Sequence, residues 1–271
     1  MFDIRASPVG DDIFKLTNLN VSRVESTTPA KSTNQNNKAI SRKDMDSEDH
    51  LNTGEPALRP GTLATRIRIL RAAEELFSAG AIDAVSLQRI GREAGQRNHS
   101  AVQYHFGDKE GVLIAILDRH TPAISEHRNA LLDEIEERGQ AADLRRLAEA
   151  FVLPVVRKAQ DPDGGMAYVR ISAQLIGHPE HTLVRLDEAR GRAASRRLAR
   201  LATAAGPETP SAFALPRLMT LTGLLFHGIS DWSRVLEERE GAISEGAWSV
   251  MTEHLVTVVA AHFAVEAGSS P

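Results

Sequence analysis

From Thr65 to the end of the chain apolar residues recur at intervals of three and four, and no window alternates convincingly with a period of two. That is the spacing of side chains on one face of a helix rather than along a strand. Ile67, Leu70, Ala73 and Phe77 form a first stripe, closed by Gly80, and Leu87, Ile90 and Ala94 form a second, opened by Ser86 and closed by Gly95. The register resumes at Leu113 and runs through Leu117, Ile124, Leu131 and Ile135. This predicts a helix of about seven turns, which Thr121-Pro122 should bend or interrupt because proline removes a backbone donor. Further helices are expected at about 142–158, 165–177, 180–205, 211–239 and 244–266, with glycine and proline punctuating the gaps. The predicted fold is all-α, a three-helix unit over 61–110 followed by a larger helical bundle over 111–268.

Residues 1–60 read differently. After a short mixed-apolar start they are polar and rich in Ser, Thr and Asn, and no aromatic residue occurs between Phe14 and Phe77. Such a segment cannot bury enough apolar surface to offset its ordering entropy, so a disordered extension is expected. Lys38, Arg42 and Lys43 would suit a basic arm, but the acidic residues that follow at once favour a passive tail. Met45 is an alternative start of translation.

The stretch Val85–Gly111 has the form of a helix-turn-helix. Ser86 can cap the first helix, and Gly95 can take the left-handed conformation that turns the chain sharply into the second. That second helix carries Arg97, Asn98, His99, Ser100, Gln103, Tyr104 and His105. Amide and guanidinium groups match the paired donors and acceptors of base edges in the major groove, which points to Asn98, Gln103 and Arg97. Lys109 opens the next helix, where its ammonium and the helix's own amides can face one phosphate.

TRIRILRAAEELFSAG (65–80), VSLQRIGREAG (85–95) and VQYHFGDKEGVL (102–113) together resemble the N-terminal DNA-binding domain of the TetR/AcrR family of bacterial transcriptional regulators. After Gly95 the segment QRNHSAVQ is one residue longer than in the commonest members, so the match is counted back from Lys109. On that count Lys109 and His105 fall at phosphate-contacting positions, Tyr104 at the aromatic that ends the recognition helix, and Gln103 at a position that touches DNA. Thr65 resembles a further phosphate contact. The resemblance implies a regulator, most commonly a repressor, that binds a near-palindromic operator as a homodimer and is released by a small hydrophobic or amphipathic ligand. A helical enzyme or interaction protein with an incidental helix-turn-helix is the competing class, and salt-dependent binding to a defined duplex separates the two.

A net charge of −4 and a pI near 6.2 argue at first against nucleic acid. The distribution answers this, because the charges at Arg59, Arg66, Arg68 and Arg71 are all positive, while Asp133, Glu134, Glu136 and Glu137 cluster far beyond the helix-turn-helix. The absence of cysteine excludes disulfides and thiol-ligated metals. With no apolar leader and no long apolar run, a cytoplasmic protein without a membrane partner is expected.

Leu215, Leu218, Thr222, Leu225, Ile229 and Trp232 form one late stripe and Trp248, Met251, Leu255, Val258 and His262 another. Paired with a second copy they would make a four-helix dimer interface. Phe151, Met166, Tyr168, Gln174, Phe226 and His227 mix apolar bulk with a few polar groups, as ligand cavities do. His178-Pro179-Glu180-His181 has the wrong spacing for a helical zinc site and reads as a capping turn. Gly164-Gly165 lacks a following phosphate-binding lysine, and His227 with Asp231 has no nucleophile beside it. No cofactor, metal or catalytic residue is expected.

Overall fold

The computed structural model describes residues 60–98, 100–178, 193–208 and 213–266. The expectations for 1–59, including Lys38, Arg42, Lys43 and Met45, lie outside the described residues. So do His99 and the stretch 179–192. Among the described residues there are nine α-helices and no strand: α1 (Pro60–Ala79), α2 (Leu87–Glu93), α3 (Ala101–Phe106), α4 (Lys109–Glu137), α5 (Leu144–Ala159), α6 (Gly165–Ile176), α7 (Ala193–Ala205), α8 (Ala214–Glu240) and α9 (Glu245–Ala264). A 3-10 turn, Ile82–Ala84, joins α1 to α2.

The start of the first helix moves, and the proline of the long one does not break it. α1 begins at Pro60, five residues before Thr65, since a proline at the first helical position gives up an N–H that would have no partner there anyway. α4 is one helix of about the expected length that Pro122 does not interrupt. Pro122 sits on the exposed side of the helix, where the donor a proline lacks is not needed inside the core.

The N-terminal unit forms because three short apolar stripes close on one another. Ile69, Phe77, Ile90 and Val102 are at most 1% exposed, and Phe106 joins them; truncating a ring such as Phe77 in such a core costs about 3–5 kcal/mol. In the larger bundle α5 packs against α4 and α9, and α6 packs against α8 and α1. Arginines tie these helices across their edges: Arg145 to Glu253 at 2.7 Å, Arg170 to Glu237 at 2.5 Å, and Arg197 to Asp133 at 2.7 Å and to Glu136. The acidic cluster at the end of α4 is thus largely matched within the chain.

The late stripes are also used inside the chain. Leu225, Ile229, Met251 and Leu255 are buried, and Trp232 meets Trp248 edge to face with centroids 5.6 Å apart. Met251 and Trp248, read as part of an interface stripe, are thus packed within the single chain. What α9 leaves outside is a different face, with Val250 72% exposed and Thr257 and Ala261 also exposed.

Candidate nucleic-acid interface and cavity

Local chemistry builds the helix-turn-helix. Ser86, extended at φ −90° and ψ 155°, accepts the Arg89 N–H on its hydroxyl at the start of α2. At the other end Gly95 stands at φ +66°, and two bonds, Gln96 N to Gly91 O at 2.9 Å and Gly95 N to Arg92 O at 3.0 Å, close the helix. That pair is the Schellman stop, for which glycine carries no Cβ penalty. The turn then passes through Asn98, whose Oδ1 accepts the Ser100 N–H at 2.9 Å. Asn98 therefore shapes the entry to α3, with part of its amide committed to the backbone.

α3 is only six residues long and divides cleanly. Val102 and Phe106 are buried; Gln103 and Tyr104 face outward, Tyr104 at 83% exposure, alongside exposed Arg97, Asn98 and Ser100. A helix this short does not hold itself. Its last turn is braced by α1, where Arg66 Nη1 donates to the His105 carbonyl at 2.7 Å and the guanidinium lies 4.2 Å over the Phe106 ring. Burial, then the nearby Arg66 charge, holds the His105 imidazole below its ordinary value, and its ring meets Tyr104 at 5.2 Å.

The expected phosphate residues fare unevenly. Thr65 is half-exposed, its hydroxyl accepting from Arg68 at 3.1 Å. Lys109 lies at the first position of α4, which is capped by Asp108 Oδ1 on Gly111 N at 2.8 Å. Its ammonium points back to the Ile82 and Asp83 carbonyls at 3.0 and 3.2 Å. Two of its three N–H groups are taken by that turn, which leaves one.

A cavity of about 200 Å³ opens inside the larger bundle between α4, α5, α6, α7 and α8. Phe151, Tyr168 and Phe226 line it as expected. The other three expected residues do not. Met166 turns its sulfur to the Ser233 hydroxyl at 3.4 Å, His227 is on the outside 3.7 Å from Asp231, and Gln174 reaches toward the α1–α2 connection. Sequence reasoning did not name the residues by which α4 contributes to the wall, Leu117, Thr121, Ser125 and Arg128, although their spacing of four, four and three marks one face of that helix. Arg128 is buried and donates to the Ala150 carbonyl at 3.1 Å and to the Ser195 hydroxyl at 3.0 Å.

One further constellation joins the two parts. Glu74 on α1, 3% exposed, receives Arg119 at 2.5 Å and His120 Nε2 at 3.0 Å from α4, and Arg119 reaches on to Asp163 at 2.6 Å. Burial lowers the Arg119 value, but the bonds to Glu74 and Asp163 outweigh it and hold the guanidinium above its ordinary pKa. Among the described residues no group of histidines and carboxylates is placed to hold a metal, and no helix is long and apolar enough to cross a membrane. Of the histidine pair discounted as a zinc site, His178 lies 3.2 Å from Asp83 and His181 is outside the described residues.

Two family models match, and together they take in more than half of the chain: "Bacterial regulatory proteins, tetR family" over residues 69–116 and "Tetracyclin repressor-like, C-terminal domain" over residues 149–261. The chain belongs to the TetR family. It is a DNA-binding transcriptional regulator, with the helix-turn-helix just described inside the first match and most of the cavity wall inside the second. Among solved structures this TetR-family chain is similar to AmtR of Mycobacterium smegmatis, at 24% identity and a TM-score of 0.45 over 76% of this chain and 88% of that one. It is also similar to NalD, the secondary repressor of the MexAB-OprM multidrug efflux pump in Pseudomonas aeruginosa, at 24% identity and a TM-score of 0.46 over 73% and 96%. No curated protein sequence matches it.

Proposed function

We propose that this regulator is a repressor that binds a near-palindromic operator as a homodimer and leaves it when a small amphipathic effector enters the cavity. The observation that carries the reading is the outward face of α3 and of the turn before it, where Gln103 and an 83% exposed Tyr104 on the helix and Arg97 in the turn stand free of the core. An exposed aromatic beside base-reading side chains has no use in the isolated fold. Gln103 and Arg97 read base edges, with the remaining amide capacity of Asn98. Thr65, His105 and the last N–H of Lys109 hold phosphates. The dimer forms through the outer face of α9 at Val250, Thr257 and Ala261, because the inner stripe is consumed by its own chain. The effector lies along the apolar wall of Phe151, Tyr168 and Phe226 with its polar end toward Ser125 and Ser195.

The test is selection of duplexes from a random pool, followed by titration of the selected sequence. Gln103→Ala should cost about 1–3 kcal/mol, concentrated at one base position of each half-site. Equal weakening on every sequence, or one chain per duplex at saturation, contradicts the reading.

A further inference from the structure

The connection that leads into the helix-turn-helix is held from outside that unit. Gln174 on α6 inserts its carboxamide between two backbone groups, Nε2 donating to the Phe77 carbonyl at 2.7 Å and Oε1 accepting the Ile82 N–H at 3.1 Å. Phe77 lies in the last turn of α1, where carbonyls have no partner within the helix, and Ile82 opens the 3-10 turn. Beyond the end of α6, His178 Nε2 lies 3.2 Å from Asp83 Oδ1, while Lys109 takes the carbonyls of the same turn from α4. Two residues after that turn comes Ser86, the cap of α2.

α6 has a second face. Tyr168 and Ile176 on it line the cavity, and the Tyr168 ring meets Phe226 at 6.1 Å and His120 at 5.2 Å. Gln174 and Ile176 are about 200° apart around the helix. One rigid element therefore carries cavity wall on one side and the amide clamp on the other.

We propose that Gln174 is a positioning residue for DNA recognition, an amide latch through which α6 sets the attitude of the helix-turn-helix and through which filling of the cavity reaches it. The second half of the statement rests on the reading that the cavity takes an effector; the first half does not. Both partners of the amide are backbone groups outside the regular helical ladder, one at the end of α1 and one at the start of the 3-10 turn, and the bonds to them are partly buried, so the turn follows α6 when α6 moves. Two opposed bonds from one planar group fix direction as well as distance.

The chain has no cysteine, so spin labels at Glu93→Cys on α2 and Gln160→Cys after α5 report on one pair of positions, in full-length protein diluted with unlabelled chain. Gln174→Leu removes both bonds, and Gln174→Glu keeps an acceptor for Ile82 but has no donor for Phe77. Ala202→Phe, or Ala202→Leu should the larger residue prevent folding, fills the cavity with a side chain in place of a ligand. Gln174→Leu should broaden the inter-label distance distribution and weaken binding to the selected duplex by about tenfold, while changing non-specific binding at low salt by about twofold or less. Gln174→Glu should fall between it and the unchanged protein. Ala202→Phe should shift the distance and weaken binding when Gln174 is present and add almost nothing when Gln174 is Leu, a coupling that a merely structural role does not produce.

A Gln174→Leu protein with unchanged distances and unchanged affinity overturns the latch. Equal losses from Ala202→Phe in both backgrounds, or no loss in either, overturn its link to the cavity. If the unchanged protein selects no duplex, the proposed function fails by itself, and the distance distributions still decide the latch.

Discussion

Arg66 reads in the sequence as part of a basic surface for phosphates, but the fold uses it internally. Its guanidinium holds the His105 carbonyl at 2.7 Å and covers the Phe106 ring at 4.2 Å. Replacing it with alanine removes one hydrogen bond from a charged donor, about 1.5–3 kcal/mol, and one cation–π contact, about 0.5–2 kcal/mol. Arg66 is half-exposed and the freed carbonyl, at the end of α3, can take water, so the low ends apply and the loss should be about 2 kcal/mol. For a protein of this size that lowers the melting temperature by about 4–8 °C. Operator binding should weaken because the last turn of α3 loses its brace. If Arg66 were a phosphate contact, its removal would instead make the salt dependence shallower by about 0.9 in log–log slope per chain. Thermal melts and anisotropy titrations at several salt concentrations separate the two roles. Arg66→Lys keeps the charge but not the planar fork, so it should restore little of the melting temperature. An unchanged melting temperature together with a shallower salt slope refutes the brace.

Three further outcomes are expected. Lys109→Ala should cost about 1–3 kcal/mol of stability in denaturant titrations, because two carbonyls of the Ile82–Ala84 turn lose a charged donor; a stability within about 0.5 kcal/mol of the unchanged protein would mean that water replaces it. Val250→Arg should give helical monomers by sedimentation velocity, whose melting temperature no longer depends on protein concentration, whereas Trp248→Arg should lower the melting temperature of the single chain by breaking the ring pair with Trp232. Stable dimers of Val250→Arg would move the interface elsewhere. Burial first, and then Arg66 for His105, Arg157 and Arg128 for His127, and Arg217 for His262, hold these imidazoles below their ordinary value. A folded value below the unfolded one means that stability present above about pH 6.5 is lost as pH falls through the folded values. The melting temperature should therefore decline on acidification before the carboxylates titrate, and a flat profile from about pH 7 to about pH 5 contradicts this.

What could be read in the sequence was the chemistry that acts over a few residues. Ser86, Gly95 and the exposed Gln103 and Tyr104 of α3 stand where the pattern placed them, because caps, left-handed stops and helical spacing depend only on near neighbours, whereas Arg97, Asn98 and Ser100, expected on that helix, precede its first residue Ala101. Gln174 and Arg66 could not be read, since their partners lie 97 and 39 residues away. A glutamine on an amphipathic helix looks the same whether it faces a ligand or a backbone carbonyl. The same limit applies to Met251, whose stripe was visible but whose cover within the chain was not, and to Pro122, whose place on the exposed side of α4 could not be seen.

The division of labour within α3 bears on how such a regulator acquires new targets. Val102 and Phe106 hold that helix to the core, while Gln103, Tyr104 and Arg97 contribute almost nothing to holding it there. Substitutions at solvent-facing positions of this kind usually change stability by about 0.5 kcal/mol or less. Sequence preference can therefore drift, or be redirected in a library, with little risk of unfolding the molecule. Asn98 is the exception, because its bond to Ser100 ties it to the shape of the turn, and a library that includes it would trade reach for structure.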